Sequence, residues 1–275
     1  MRLRQLLNTL LVILVPLSAS AQSDLRVGPL YEAMGFPEVI EIMRDEGIVY
    51  GVELGEDMLE PRDMEAWSET VGGIYEEERI ALLVAQELED GLREVDITPL
   101  VAFFSAPRGE KIVSLEISAR RALMDPDIEA DAIDQFARMA KARDPRVDQL
   151  REFAEVNNLI QENVIGGLNA NFAFFAAMRD GGAMPGDPGD GELLELVLAG
   201  EPEVRADTEE WLFSYLAMAY SPLSDEDLDA YIALSKTAEG QALNAAIFEA
   251  FDVMFVDISR RLGEGIARQL SQQDL

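Results

Sequence analysis

Asp187, Asp190 and Glu192 place three carboxylates within the stretch GDPGDGE. Oxygen ligands on a flexible Gly/Pro backbone are what a calcium ion requires, but this spacing matches no loop template. It reads better as an exposed turn with those three residues as weak metal candidates. A second stretch, DPDIEADAIDQF from Asp125, puts acids at the first, third, fifth and seventh positions of a calcium loop. It has Ala130 where the sharp turn needs Gly and Phe136 where a bidentate Glu belongs. Asp125-Pro126-Asp127 is read instead as a helix start. Carboxylate pairs for glycoside hydrolysis, such as Glu87 with Asp90 or Asp225 with Asp229, can be found along helix faces. So can many others, and solvation explains them all. The chain has no His and no Cys. That excludes Ser-His-Asp and Cys-His nucleophilic sites, His general bases and every His- or Cys-based zinc site. Neither a catalytic residue nor a cofactor is expected.

The other stretch with possible chemistry is Val164 to Met178. Gly166, Gly167, Ala170, Ala173, Ala176 and Ala177 are small, whereas Phe172, Phe174 and Phe175 are large. Small residues let helices approach and aromatics fill the space beside them, so a central buried helix is expected. As the wall of an apolar pocket, the same segment would offer Asn169, Asn171, Phe172, Phe174 and Phe175 to a small molecule. Trp67 and Trp211 are expected in the core or at its rim.

These residues must be positioned by helices. Apolar residues recur at spacings of three and four, and few segments alternate with period two. Leu243, Ile247, Phe251, Phe255, Ile258, Leu262, Ile266 and Leu270 form one stripe of a long amphipathic helix. Ser224 with Asp227 resembles a capping box, Thr208 followed by two Glu reads as an N-cap, and Pro107 suits a first helical turn. The fold class is all-α.

The N-terminus reads as a cleavable export signal over residues 1–21: Arg2 and Arg4, an apolar run from Leu10 to Leu17, and Ala19-Ser20-Ala21 before the cut. The run is too short to span a bilayer, and no later run qualifies. The mature chain is expected in the periplasm, without a membrane span. In an oxidising compartment a chain without cysteine must be held by its core, and about 250 residues suffice for one. The net charge of −31 disfavours nucleic acid and anionic lipid and permits basic partners or divalent cations.

The chain also matches itself. At an offset of 131, Asp96 falls on Asp227, Ala102 on Ala233, Gly109 on Gly240 and Ala119 on Ala250. At an offset of 120, Leu30 falls on Leu150, Ile40 on Ile160 and Gly47 on Gly167. Two divergent tandem helical repeats follow, 27–146 and 147–275, the second with an inserted loop near 179–192. Ile247 and Phe251 correspond to Glu116 and Arg120, an opposite-charge i,i+4 pair. The first copy is therefore expected to expose a strip there that the second buries, with the C-terminal helix packing against both copies.

The segment PLSDEDLDAYIALSKTAEGQAL resembles the C-terminal hallmark of the bacterial "domain of unknown function 2059" family, with Thr237, Gly240 and Gln241 on a Ser/Thr-x-x-Gly joint. In the first copy FFSAPRGEKI is similar, with Phe103, Phe104, Pro107, Gly109 and Glu110 in place, although Ser105 lies one residue earlier than Thr237 would require. The resemblance spans about 35 residues in each copy. It implies an exported, all-helical protein of Gram-negative bacteria and no assigned activity. The functional expectation is a non-enzymatic module that binds a protein partner or a second copy of itself. The alternatives are a small-molecule binder at 164–178 and, last, a carboxylate-dependent hydrolase of envelope polymers. A Gly at the same place in both joints suggests a crowded corner that a Cβ would obstruct.

Overall fold

A computed structural model describes residues 25–273; residues 1–21, expected from sequence to be an export signal, lie outside the described residues. Among these residues there are thirteen α-helices, one 3-10 turn and no strand. In chain order they are α1 (Gly28–Ala33), α2 (Phe36–Met58), the 3-10 turn (Pro61–Asp63), α3 (Met64–Ile74), α4 (Glu77–Gly91), α5 (Thr98–Phe104), α6 (Pro107–Ala122) and α7 (Pro126–Ala142). They continue with α8 (Pro145–Val156), α9 (Leu159–Asp180), α10 (Asp190–Ala199), α11 (Glu201–Tyr220), α12 (Asp225–Ser235) and α13 (Ala238–Gln273).

Local sequence explains the helix starts. Seven α-helices carry Pro in their first two positions, where the missing N–H costs nothing. Asp125 accepts from the Asp127 N–H at 3.0 Å, and Ser224 from the Asp227 N–H at 3.1 Å, both as N-caps. Thr208 is not a cap. Gly200 and Pro202 start α11 earlier, so Thr208 lies inside that helix.

The elements share two cores. The larger joins α1 to α5 with most of α13 and Met178 at the end of α9. The smaller joins Ile112 and Ala119 of α6 to α8, α11 and α12. The packing is crossed: α13 lies against α4, while α6 lies against α11. The C-terminal helix therefore touches both halves, packing on α9 and α4, as the sequence stripe suggests. The stripe itself is imperfect. Leu243, Ile258, Leu262 and Ile266 are buried, but Phe255 is 40% exposed. Its register drifts off the core because i,i+4 steps overshoot a full turn and wind around the 36-residue helix.

Close helix approach depends on small residues. Gly47, Gly51 and Gly55 form a groove along α2 that receives Tyr75, Val71 and Trp67; the Trp67 indole donates to the Gly51 carbonyl at 2.7 Å. On α9 and α13, Ala177 faces Gly263 and Gly181 faces Ala267. Val164 to Met178 is not the central buried helix that its composition suggests. Only Val164, Ala177 and Met178 are buried, and one side of the segment stays open.

The crossed packing means that neither half completes its own core. Ile80, Val84 and Leu88 of α4 share a core with Leu243, Ala246 and Ala250 of α13. Fragments 25–143 and 144–273, divided at the exposed α7–α8 corner, are expected to lack a cooperative thermal transition when separate and to regain one when mixed. Either fragment melting alone at the temperature of the whole chain would contradict this packing account.

Candidate functional site

The joint between α12 and α13 is a structural lock. Thr237 Oγ1 accepts from the Gly240 N–H at 3.0 Å and donates to the Leu234 carbonyl at 2.7 Å. Gln241 Nε2 donates to the Ser235 carbonyl at 2.6 Å and to the Val156 carbonyl at 3.0 Å, tying the joint to the end of α8. A Cβ on Gly240 would lie under 3.0 Å from the Leu234 carbonyl oxygen. The α5–α6 joint repeats this geometry at the matching positions: a Cβ on Gly109 would collide with the Phe103 carbonyl oxygen and would lie 2.5 Å from the Phe104 Cα. There the cap position falls on Ala106, which has no side-chain oxygen, so Ser105 does not substitute for Thr237. Pro107 fills the first turn, and Phe103 and Phe104 pack around Tyr231.

Glu116 is a residue that sequence reasoning misplaced. It is half-buried, and its carboxylate accepts from Tyr220 Oη at 2.5 Å and from the Tyr231 hydroxyl. Tyr215 Oη donates to the Glu116 backbone carbonyl at 3.4 Å. Arg120 Nη2 pairs with Glu46 at 2.6 Å, and its guanidinium lies 5.7 Å from the Trp211 ring centroid. Trp211 in turn stacks on Tyr215. The expected exposed strip is thus a polar seam between α6 and the second half: aromatic rings from α11 and α12 close over it. Burial pushes the Glu116 carboxyl up to about 7, against a partial lowering by the two phenols. Burial, followed by the nearby Glu116 charge, holds Tyr215, Tyr220 and Tyr231 well above the usual phenol range.

Among the described residues, two surface clefts bear on function. The first, about 480 Å³, lies beside the α5–α6 joint, with Glu32, Glu38 and Glu110 around Phe104, Val113 and Ile117. Its three acids are solvent-exposed. None of the buried unpaired atoms among the described residues belongs to a residue lining it. Glu116 lines neither cleft.

The second cleft, about 440 Å³, runs between α9 and α10. Ile165, Leu168, Asn169 and Phe172 form one wall, at i, i+3, i+4 and i+7; Leu194 and Leu198 of α10 form the other, one turn apart. Two of the anticipated pocket residues, Asn169 and Phe172, line it. Asn169 Nδ2 is already donating to Asp252 at 3.0 Å. Asn171 points away into solvent, and Phe174 packs against the larger core with Phe175 edge-on to it. The helical period turns Asn171 and Phe174 off the wall that Phe172 shares, and Phe175, one turn further along, lies beyond the cleft lining. Helix α10 itself was hidden in sequence, where it reads as part of an insertion. It buries Leu193 and Val197 and leaves Leu194, Leu196 and Leu198 49–51% exposed.

The carboxylates of the Gly/Pro loop have local work. Asp190 pairs with Arg179 Nη1 at 2.5 Å, Glu192 accepts from the Gly189 N–H at 2.9 Å, and Asp187 sits in the left-handed region with φ 50°. Among the described residues no three acidic side chains are grouped to hold a metal ion, and no helix is long and apolar enough to cross a membrane. Comparison with family models, with curated proteins and with solved structures gave no match.

Proposed function

We propose that the chain is an exported, non-enzymatic helical module that docks a partner polypeptide in the α9–α10 cleft. One observation carries this reading. Helix α10 is apolar on both its inner and outer sides yet lies at the surface, with its main contacts on α9 and α11 alone. A helix that is hydrophobic all round is ordinarily buried, and a grouped apolar surface on a folded protein marks an interaction site. The export-like N-terminus and the resemblance to the "domain of unknown function 2059" family support a periplasmic setting in a Gram-negative bacterium. The repeated Gly joints and the crossed helix pairs support descent from a duplicated helical unit.

A small-molecule binder is the second reading, because the cleft volume falls within the roughly 300–1,000 Å³ typical of ligand sites. The cleft lacks the convergent polar groups that orient a ligand, since its amide is spent on Asp252. A hydrolase has less support. Glu116, the one carboxyl among the described residues that burial pushes up towards neutrality, is held by phenols and lines neither cleft.

Native mass spectrometry of the chain released gently from its own cells separates these readings. The expected result is a species carrying a second polypeptide. An excess of a few hundred daltons would replace docking with ligand binding, and a bare chain would count against both.

A further inference from the structure

The cleft's shape and charge say more about its occupant. Its walls are two helices, and the apolar positions of α9 extend over Ile165 to Phe172, a rise of about 10 Å. That length matches two turns of a third helix inserting apolar side chains at i, i+3 or i+4, and i+7. The groove is open to solvent rather than enclosed and lies between two helices, so it suits a rod lying in it better than a compact molecule enclosed by it.

The charge around it is one-sided. Helix α10 carries Asp190, Glu192 and Glu195 and no basic residue. Helix α9 carries Glu162 and Asp180 and a single cation, Arg179, whose guanidinium is spent on Asp180, Asp190 and the Pro188 carbonyl. The next acids in sequence, Glu201 and Glu203, open α11, and Glu201 pairs with Arg205. The arginines of α9, α10 and α11, Arg179 and Arg205, are therefore already paired. A second copy of the chain would bring a net charge of −31 against the same acids, and like charges brought together oppose association. An acidic or neutral helix would gain nothing from the rim. A helix with lysine or arginine on both sides of its apolar stripe would pair with it.

Resting on the docking reading, we propose that the α9–α10 groove binds an amphipathic helix of a separate polypeptide, with a leucine-type apolar stripe flanked by basic residues. Leu194 and Leu198 are the anchoring contacts on α10, with Ile165 and Phe172 opposite. Glu195, together with the negative charge left over where the single Arg179 meets both Asp180 and Asp190, selects for the basic flanks.

The test is a titration of the full chain with three synthetic helical peptides of about four turns: one with a leucine stripe and lysine flanks, one with the same stripe and glutamate flanks, and one scrambled from the first. The lysine-flanked peptide is expected to bind at micromolar concentration and to weaken with salt. It should lose at least tenfold in Leu198→Asp and in Leu194→Asp, whose melting curves report that the fold is intact. Both leucines are about half exposed, so an acid there is tolerated. Several outcomes overturn the proposal. Equal binding of the scrambled peptide, or unchanged affinity in both variants, would reduce the effect to general attraction to an acidic protein. Equal binding of the glutamate-flanked peptide, lost in the variants, would remove the charge selection and leave docking standing. A dimer of the free chain that Leu198→Asp dissolves would make a second copy the occupant, again leaving docking standing. No binding by any peptide would remove this occupant, and the native mass would then decide the docking reading separately.

Discussion

Gly240→Ala is expected to lower the unfolding free energy by about 3 kcal/mol, the upper part of the range for forcing a methylene into packed structure. The added carbon meets backbone: the Leu234 carbonyl oxygen at under 3.0 Å and the Ser235 Cα at 3.0 Å. No rotamer change can relieve it, so α12 must move away from α13. That shift would break the Thr237 and Gln241 contacts that seal the joint against α8. Gly72 provides the contrast. It lies in α3 with nothing within 4 Å of a built Cβ, and Gly72→Ala should raise stability by about 0.5 to 1 kcal/mol through helix propensity. Urea unfolding of both variants checks the pair. Equal effects would mean that the joint is no tighter than an exposed helix face.

Glu116→Gln is expected to stabilise the protein at pH 8 to 9 by about 2 to 3 kcal/mol and to change little near pH 4. Glu116 has its carboxyl raised from about 4.5 to about 7 on folding, chiefly by burial. A raised acid binds its proton more tightly when folded. Its contribution is thus fully present below the unfolded value and is lost as pH rises through the folded one. Above pH 7 the folded chain holds an ionised carboxylate between Tyr220, Tyr231 and Tyr215 at a cost that a neutral amide avoids. The amide oxygen can still accept from Tyr220. Thermal unfolding across this range, as the difference between wild type and variant, isolates Glu116 from carboxylates such as Asp227 and Asp257, which are shifted the other way. A variant that is less stable than wild type at pH 8 would show that the ionised form is the one the tyrosines favour.

The helical class was readable because the apolar spacing is a local property. The joints were readable because Ser224, Pro107, Thr237 and Gly240 act within a few residues of themselves. What escaped was decided at long range. Glu116 and Arg120 look like a solvated i,i+4 pair until Tyr220 and Trp211, about a hundred positions later, close over them. Thr208 has the chemistry of a cap, but Gly200 and Pro202 nucleate the helix first. The stretch from Asp190 to Ala199 looks like an insertion in a chain matched to itself, and its outward leucines become visible only once α9 is set beside it. Of the expected pocket, Asn169 and Phe172 share a wall and Asn171, Phe174 and Phe175 do not, because the partner of each side of α9 is not written in α9.

The account rests on α10 being covered in the cell. A photo-crosslinking residue placed at Leu194, on the groove wall of α10, tests this in living cells, with Met124 as an exposed control outside the groove lining. The expected result is a discrete adduct at position 194, absent at 124, whose crosslinked peptide is an amphipathic stretch rich in leucine and lysine or arginine. No adduct at 194, or the same adducts at both positions, would contradict a docking surface on this helix.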